Sequence, residues 1–319
     1  MLRSLLALLP LLGAVATAAG HSSPHRALGC MPSATNNWCR YAAPSTNSSC
    51  AGCLTFRDVS FAVMTGLAMH GSRCQLIKHG YAKLLPKGHL TFYSDADDAT
   101  LPAVKVIEPA PAGQSVHEWA QRKWIPGLVA AFERARKLGT KWTMVADDDT
   151  YVNPRNLLRV LQGYDASNPL LLGQKCGILE AGGGSERALC GGAGWAMTTP
   201  LHRELVRVMP RCEGKYYRHG SRSVHRADTR RLERHSDRFL SRCFYHELNV
   251  SLVDRSEFNS QPPLFYETSL GHNDRPRGYG SPATFHYLTV RRHRELLQGA
   301  SDQMIWQSLE HQVGLGRRL

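Results

Sequence analysis

KWTMVADDDTYVNP, residues 141–154, runs from an apolar segment straight into three consecutive carboxylates, Asp147, Asp148 and Asp149. The run WTMVADDD reads as a strand, and in an extended segment alternate side chains share a face. Asp147 and Asp149 are therefore expected to point together, with Asp148 on the other side. Like charge at that density is unfavourable unless a cation or a set of donors meets it. Two hard oxygen donors on one face suit Mg²⁺ or Mn²⁺. The plainer alternative is a solvated turn, or carboxylates that cap the helix that follows, and this stretch alone leaves both open. That helix has a sharp start: Asn153 as N-cap and Pro154 at its first position, then RNLLRVLQGY.

Working outward, the same alternation recurs. DVSFAVMTG reads as a strand ending at Thr65 and Gly66, LTFYSDADD as a second ending at Ser94 and Asp95, and AVKVIEP as a third. SVHEWAQRKWIPGLVAAFERARK has helical period, with Pro126 kinking or dividing it. Thr199 and Pro200 repeat the capping device before LHRELVRVM. Strands alternating with helices predict an α/β fold with a mixed, mainly parallel sheet flanked by helices. Ligands of such sheets sit beyond the carboxyl ends of the strands. Thr65-Gly66, Ser94-Asp95 and the Asp147 cluster would gather there, an arrangement that suits a nucleotide but is common to many α/β proteins.

The chain's 319 residues, 42% hydrophobic and 20% charged, fit one catalytic domain with appendages. The net charge of +13 points to acidic partners such as nucleotides, phosphate, anionic glycans or a membrane surface. The opening MLRSLLALLPLLGAVATAAGHSS has an early Arg3, an apolar run from Leu5 and small residues at Ala16, Ala18 and Ala19. Residues 1–19 thus read as a signal peptide or an uncleaved signal-anchor, and the chain as one that enters the secretory pathway. Its destination is the Golgi or ER lumen, as a single-pass membrane protein or secreted after cleavage. Nine cysteines fit that compartment. Cys30, Cys39, Cys50 and Cys53 fall in a Ser-, Pro- and Asn-rich stem, residues 20–54, where CAGC reads as structural rather than redox or zinc-binding. Asn47-Ser48-Ser49 and Asn249-Val250-Ser251 are glycosylation acceptor sequences. Residues 218–238, RHGSRSVHRADTRRLERHSDR, look inserted. A solvated loop is the plain reading and contact with an anionic acceptor or membrane the other. Nucleic acid is excluded for want of interleaved aromatics in a secretory protein.

Further motifs lie downstream. CGGAGWAMTTP places Gly191, Gly192 and Gly194 before an apolar strand, where glycine lets a backbone come close to a ligand or another strand. HSDRFLSRCFYHELNVSLVD puts Ser236 at a helix N-cap and Asp237 in its first turn. GSPATFHYL sets His286 in a short apolar strand. Taken together, ADDDTYVNPRNLL, GGAGWAMT, SDRFLSRC…NVSLVD and ATFHYL resemble the Fringe-like glycosyltransferases, which include Fringe and the core 1 β1,3-galactosyltransferases. The similarity runs in order from about Val59 to Leu297.

The resemblance implies a GT-A type nucleotide-sugar transferase fold over residues 55–298, with 218–235 as a basic insertion and 299–319 as a tail. It implies an inverting, Mn²⁺-dependent β1,3-transfer from a UDP-sugar to a glycan or O-linked sugar acceptor. Galactose or N-acetylglucosamine is the expected sugar, with a core 1-type galactosyl transfer favoured. The family's DxD motif falls on Asp147 to Asp149, with Asp149 the principal metal carboxylate and His286 a further ligand. Its general base falls on Asp237, and its glycine motif on Gly191, Gly192 and Gly194, beside the donor sugar. Uridine would lie against Thr65, Gly66 and Asp95, with Asp147 and Asp148 also at the donor. With it come the expected disulfides Cys212 to Cys243 and Cys176 to Cys190. There are departures: RHSDRF precedes the base position, TFHY replaces SFHY, and the amino-terminal apolar run is short. A catalytically silent glycan-binding protein of the same fold is the competing reading, and its mark would be loss of the base or ligands. A metal-dependent phosphohydrolase would want a more crowded ligand set.

Overall fold

The computed structural model describes residues 53–113, 116–179, 186–217, 233, 235–261 and 282–286, all within the compact unit Ser49–Leu319. The expected signal segment, most of the stem with Cys30, Cys39, Cys50 and Asn47, residues 218–232 of the insertion, and the tail lie outside the described residues.

The chain enters strand β1 (Val59–Met64), then short helix α1 (Leu67–Met69), a π-helical turn (His70–Cys74) and α2 (Gln75–His79). Strands β2 (Leu90–Ser94) and β3 (Ala103–Lys105) follow, then helices α3 (Val116–Arg122) and α4 (Trp124–Leu138). The predicted helix is thus divided at Lys123. Pro126 lacks the N–H that would bond the carbonyl of Arg122, and its ring crowds that carbonyl. Next come β4 (Trp142–Asp147), β5 (Tyr151–Val152) and α5 (Pro154–Leu161). Asn153 caps α5 as expected, its side chain accepting from Asn156 N at 3.1 Å, a contact worth about 1 kcal/mol.

Strands β6 (Leu171–Gly173), β7 (Lys175–Ile178), β8 (Arg187–Leu189) and β9 (Trp195–Thr198) lead into α6 (Thr199–Tyr216). The capping device is not repeated there. Thr198, not Thr199, is the N-cap, and Thr199 Oγ1 donates instead to Thr140 O at 2.6 Å. Helix α7 (Ser236–Arg242), β10 (Leu252–Asp254) and β11 (Thr284–Phe285) complete the described elements. The N-cap of α7 is His235 rather than Ser236, and the Ser236 N–H, left without a partner inside the helix's first turn, donates to Gln121 Oε1 of α3, 2.9 Å away.

Seven strands form one sheet in the order β10-β6-β9-β4-β1-β2-β3. Every pairing is parallel except those of β9, which runs against both β4 and β6. The expected mixed, mainly parallel sheet is therefore present. All six residues of β1 are buried, as a strand covered on both faces requires. Val59, Phe61 and Val63 enter one core with Ile77, Tyr81 and Leu157. Ala62 and Met64 enter the other with Leu128, Leu205 and Phe239. The sheet thus lies between two helical layers. In the second core Trp195 stacks on Trp124 at 6.4 Å and meets Phe244 edge-on at 5.9 Å. Among the described residues, no helix is long and apolar enough to cross a membrane.

Candidate active site

Register sets the site. Met64 of β1 pairs with Asp147 of β4 and with Tyr93 of β2, so three parallel strands end at one level. The β4 strand stops at Asp147, and Asp148 and Asp149 sit in the turn before β5. The facing predicted from alternation is reached through that turn. Asp147 and Asp149 come together with His286, with one ligand atom of each within 4.8 Å of the others. Asp148 turns away, accepting from Thr65 Oγ1 at 2.6 Å and from Arg73 Nη1 at 2.8 Å.

His286 arrives from far along the chain. β11 pairs antiparallel with β5, Phe285 opposite Tyr151, which delivers the next residue to the acidic turn. Asn156 Nδ2 donates to Pro282 O at 2.7 Å, Asn153 N to Ala283 O at 2.8 Å, and His286 N to Asn259 O at 3.0 Å. His286 Nε2 lies 3.3 Å from Asp149 Oδ1. A Cβ at Gly192 would overlap the His286 ring, so only glycine admits the imidazole here. Gly194 has a different reason: its φ is +69°, and a Cβ would press on Met144 of β4.

The electrostatics follow from burial. Burial, then Asp149, then Asp148 push the Asp147 carboxyl up to about 7. Burial also disfavours the charged forms of Asp149 and His286, but their mutual contact prevails, holding the Asp149 carboxyl below its ordinary value and the imidazole above its own. Among the described residues no donor reaches the Asp147 carboxylate. A half-buried carboxylate without a donor, beside a second carboxylate and an imidazole, is an environment that a divalent cation satisfies.

Asp237 approaches from the other side. Its α7 packs on β8 and α6, with Ser241 Oγ donating to Asp237 O at 2.6 Å and accepting from Leu189 N at 2.8 Å. Cys212 is bonded to Cys243, fastening α6 to the turn after α7, and Cys176 is bonded to Cys190, directly before Gly191. Glu233 closes the foot of the insertion, meeting Arg242 Nε at 2.7 Å and Arg238 Nε at 3.0 Å. Asp237 Oδ2 lies 3.5 Å from Gly191 N. A pocket of about 160 Å³ opens between the two carboxylate positions, lined by Asp147, Gly191, Gly192, Asp237, Lys123 and Trp124 among others.

Of the residues expected at the donor, Thr65 gives its hydroxyl to Asp148, and Asp95 Oδ1 accepts from Leu67 N at 2.7 Å, tying the end of β2 to α1. Gly66 precedes α1 as its N-cap. Gly191 and Gly192 line the pocket; Gly194 faces β4. Asn249 is exposed and has φ +51°. Sequence reasoning missed Arg73 and Lys123. The first sits in an ordinary-looking basic helical run, whereas the second carried a signal, lying three residues before the proline that breaks its helix.

The sequence profile of the Fringe-like family matches residues 54–264, and the chain belongs to that family. That family is one of glycosyltransferases. The human protein named beta-1,3-glucosyltransferase is 26% identical over 157 residues, 49% of this chain and 30% of that protein. The mouse protein of the same name is 25% identical over 156 residues, with the same coverage. The chain thus matches less than a third of the length of these curated relatives. A solved glycosyltransferase involved in glycosylating the major capsid of PBCV-1 aligns at TM-score 0.39 and 14% identity, over 76% of this chain and all of that one. His286 lies beyond the family match, yet the fold brings it to the acidic turn.

Proposed function

We propose that the chain is an inverting β1,3-glycosyltransferase whose catalytic domain spans residues 55–298. It would transfer a hexose from a UDP-sugar to a glycan or O-linked sugar acceptor in the lumen of the secretory pathway. The observation that carries this reading is one small pocket lined by both Asp237 and Asp147, the second of which is grouped with Asp149 and His286. Asp147, Asp149 and His286 would hold Mn²⁺. The ion, when bound, supplies charge neutralisation for the diphosphate.

The chain's own groups do the rest. Asp237 accepts the proton of the acceptor hydroxyl as that oxygen bonds the anomeric carbon from the face opposite UDP. The bond from that carbon to the β-phosphate oxygen breaks with its electron pair on the phosphate, and UDP departs. Gly191 and Gly192, without side chains, let Asp237 and His286 close in on the backbone that lines the sugar's pocket. Thr65, Gly66 and Asp95 at the strand ends flank the nucleotide, and Asp148, held by Thr65 and Arg73, fixes the turn that presents its neighbours. The two disulfides support an oxidising lumen. For the sugar, galactose and N-acetylglucosamine stand as expected from the resemblance of the sequence motifs, and the relatives named beta-1,3-glucosyltransferase add glucose.

The test is UDP release by the purified chain, with and without Mn²⁺, across UDP-galactose, UDP-N-acetylglucosamine and UDP-glucose with simple glycoside acceptors. Release that needs both the metal and an acceptor establishes the transferase and names its substrates. Release at full rate without any acceptor would make it a hydrolase and sink the proposal.

A further inference from the structure

The pocket between the two carboxylate positions contains a cation that the reaction as described does not use. Lys123 stands at the break between α3 and α4, in the position Pro126 creates, and lines the pocket together with Asp147 and Asp237. Its Nζ donates to the Thr65 carbonyl at the end of β1. That is the strand end whose side-chain hydroxyl holds Asp148, so Lys123 is anchored to the same corner as the acidic turn. Among the described residues no carboxylate forms an ion pair with it, although it is close enough to Asp147 to act on that carboxyl's charge.

An ammonium offers three protons, and the Thr65 carbonyl takes one. Two remain, and the residue lines a pocket in which, on the proposed reaction, negative charge develops on one atom: the β-phosphate oxygen released when the anomeric bond breaks. A fixed cation aimed at developing charge is the most effective kind of electrostatic help, because it needs no reorganisation as the reaction proceeds.

We infer that Lys123 is a second cation for the leaving diphosphate, contacting the β-phosphate oxygen that departs with the electron pair of the broken anomeric bond. The inference rests on the UDP-sugar reading above. The acceptor proton still goes to Asp237, and Lys123 stays protonated throughout, donating a hydrogen bond and no proton. It acts on the β-phosphate and leaves the α-phosphate, ribose and uracil alone.

That selectivity gives the test. Binding of UDP and of UMP, each with Mn²⁺, is measured by titration calorimetry on the full chain and on its Lys123→Met and Lys123→Arg variants. The wild type is expected to prefer UDP. Lys123→Met should cut UDP affinity by about 10- to 100-fold while leaving UMP affinity unchanged, the loss typical of one hydrogen bond to a charged group. Its turnover should fall about 100- to 1,000-fold, as on removal of one donor to a developing anion. Lys123→Arg keeps the charge and should keep most of the preference for UDP, which separates the effect from misfolding. A Lys123→Met protein with the wild-type ratio of UDP to UMP affinity overturns the inference and leaves the donor reading standing. So does one that changes only the ranking among UDP-sugars, because the lysine would then serve a sugar hydroxyl. Wild-type protein that binds neither nucleotide with Mn²⁺ overturns the donor reading and this inference with it.

Discussion

Gly192→Ala probes the cluster without touching a ligand. A methyl there would fall 2.5 Å from His286 Nε2 and closer still to the rest of the imidazole edge. Ordinary contact begins at 3.4 Å, so the ring must give way by about 1 Å. It has little room to do so. Its backbone is bonded to Asn259, the strand before it is paired to β5, and only 13% of its side chain is exposed. A displacement of that size at a ligating or reacting group costs on the order of 100-fold, and disturbing the surroundings of a metal ligand costs about 10- to 100-fold in affinity. We therefore expect Mn²⁺ affinity, read from the electron paramagnetic resonance of free Mn²⁺, to fall by about 10- to 100-fold, with UDP release falling at least as far. Gly214→Ala is the matched control: nothing lies within 4 Å of its added methyl, and it sits inside α6, where alanine should stabilise by about 0.5–1 kcal/mol. Unchanged Mn²⁺ affinity in Gly192→Ala, at normal thermal stability, would refute the assignment of His286 to the cation.

Three further outcomes are expected. Asp149→Ala should abolish Mn²⁺-dependent UDP binding in calorimetry, and retained binding would remove Asp149 from the ligand set. Asp237→Asn should bind Mn²⁺ and UDP as the wild type does and transfer no sugar; transfer at the normal rate would mean the base is elsewhere. His202 gives a pH dependence away from the site. It is fully buried, its Nε2 donating to Leu128 O at 2.9 Å, and burial pushes its imidazole down to about 3. Between pH 6.5 and 3 the unfolded chain binds a proton there that the folded chain does not, so stability falls as pH falls through that window. The loss from this group between pH 7 and pH 5 is about 2 kcal/mol. Chemical denaturation at the two pH values should show His202→Gln losing less than the wild type by about that amount, and equal losses would acquit the histidine.

The fold was legible where one residue type dominates one job. Strand β1 is a run of buried Val, Phe, Ala and Met, and α5 announces itself through Asn153 and Pro154, because those signals act locally. Asp147 and Asp149 were legible for the same reason: adjacent carboxylates have few ordinary explanations. Ser236 and Thr199 misled for a tertiary reason. Each looked like a cap, but Gln121 supplies the acceptor for the Ser236 N–H, and Thr140 takes the Thr199 hydroxyl. Local propensity cannot register an acceptor that lies more than fifty residues away in sequence. Arg73 and Lys123 were missed on the same principle in reverse. Among 39 basic residues, nothing local separates Arg73, which meets the acidic turn, from one that faces water, and Lys123 is marked only by the proline three residues on.

Arg73 and His286 explain how the acidic turn is tolerated. Three adjacent carboxylates in a half-buried turn would disfavour folding if each were left charged and alone. Asp148 is instead bound by Arg73 and Thr65, and Asp149 by His286 with Arg73 Nη1 a further 3.5 Å away. Only Asp147 is left without a donor among the described residues, and its carboxyl is the one driven toward neutrality. The protein's own positive groups therefore stabilise two thirds of the cluster and leave the last charge uncompensated at the edge of the pocket. A site of that kind can fold before its cation arrives, unlike small domains that need metal to fold at all. Chelation should accordingly remove nucleotide binding while the thermal transition persists as a cooperative unfolding, shifted down only by the free energy of ion binding. A chain that lost its folded structure on chelation would show that Arg73 and His286 do not suffice.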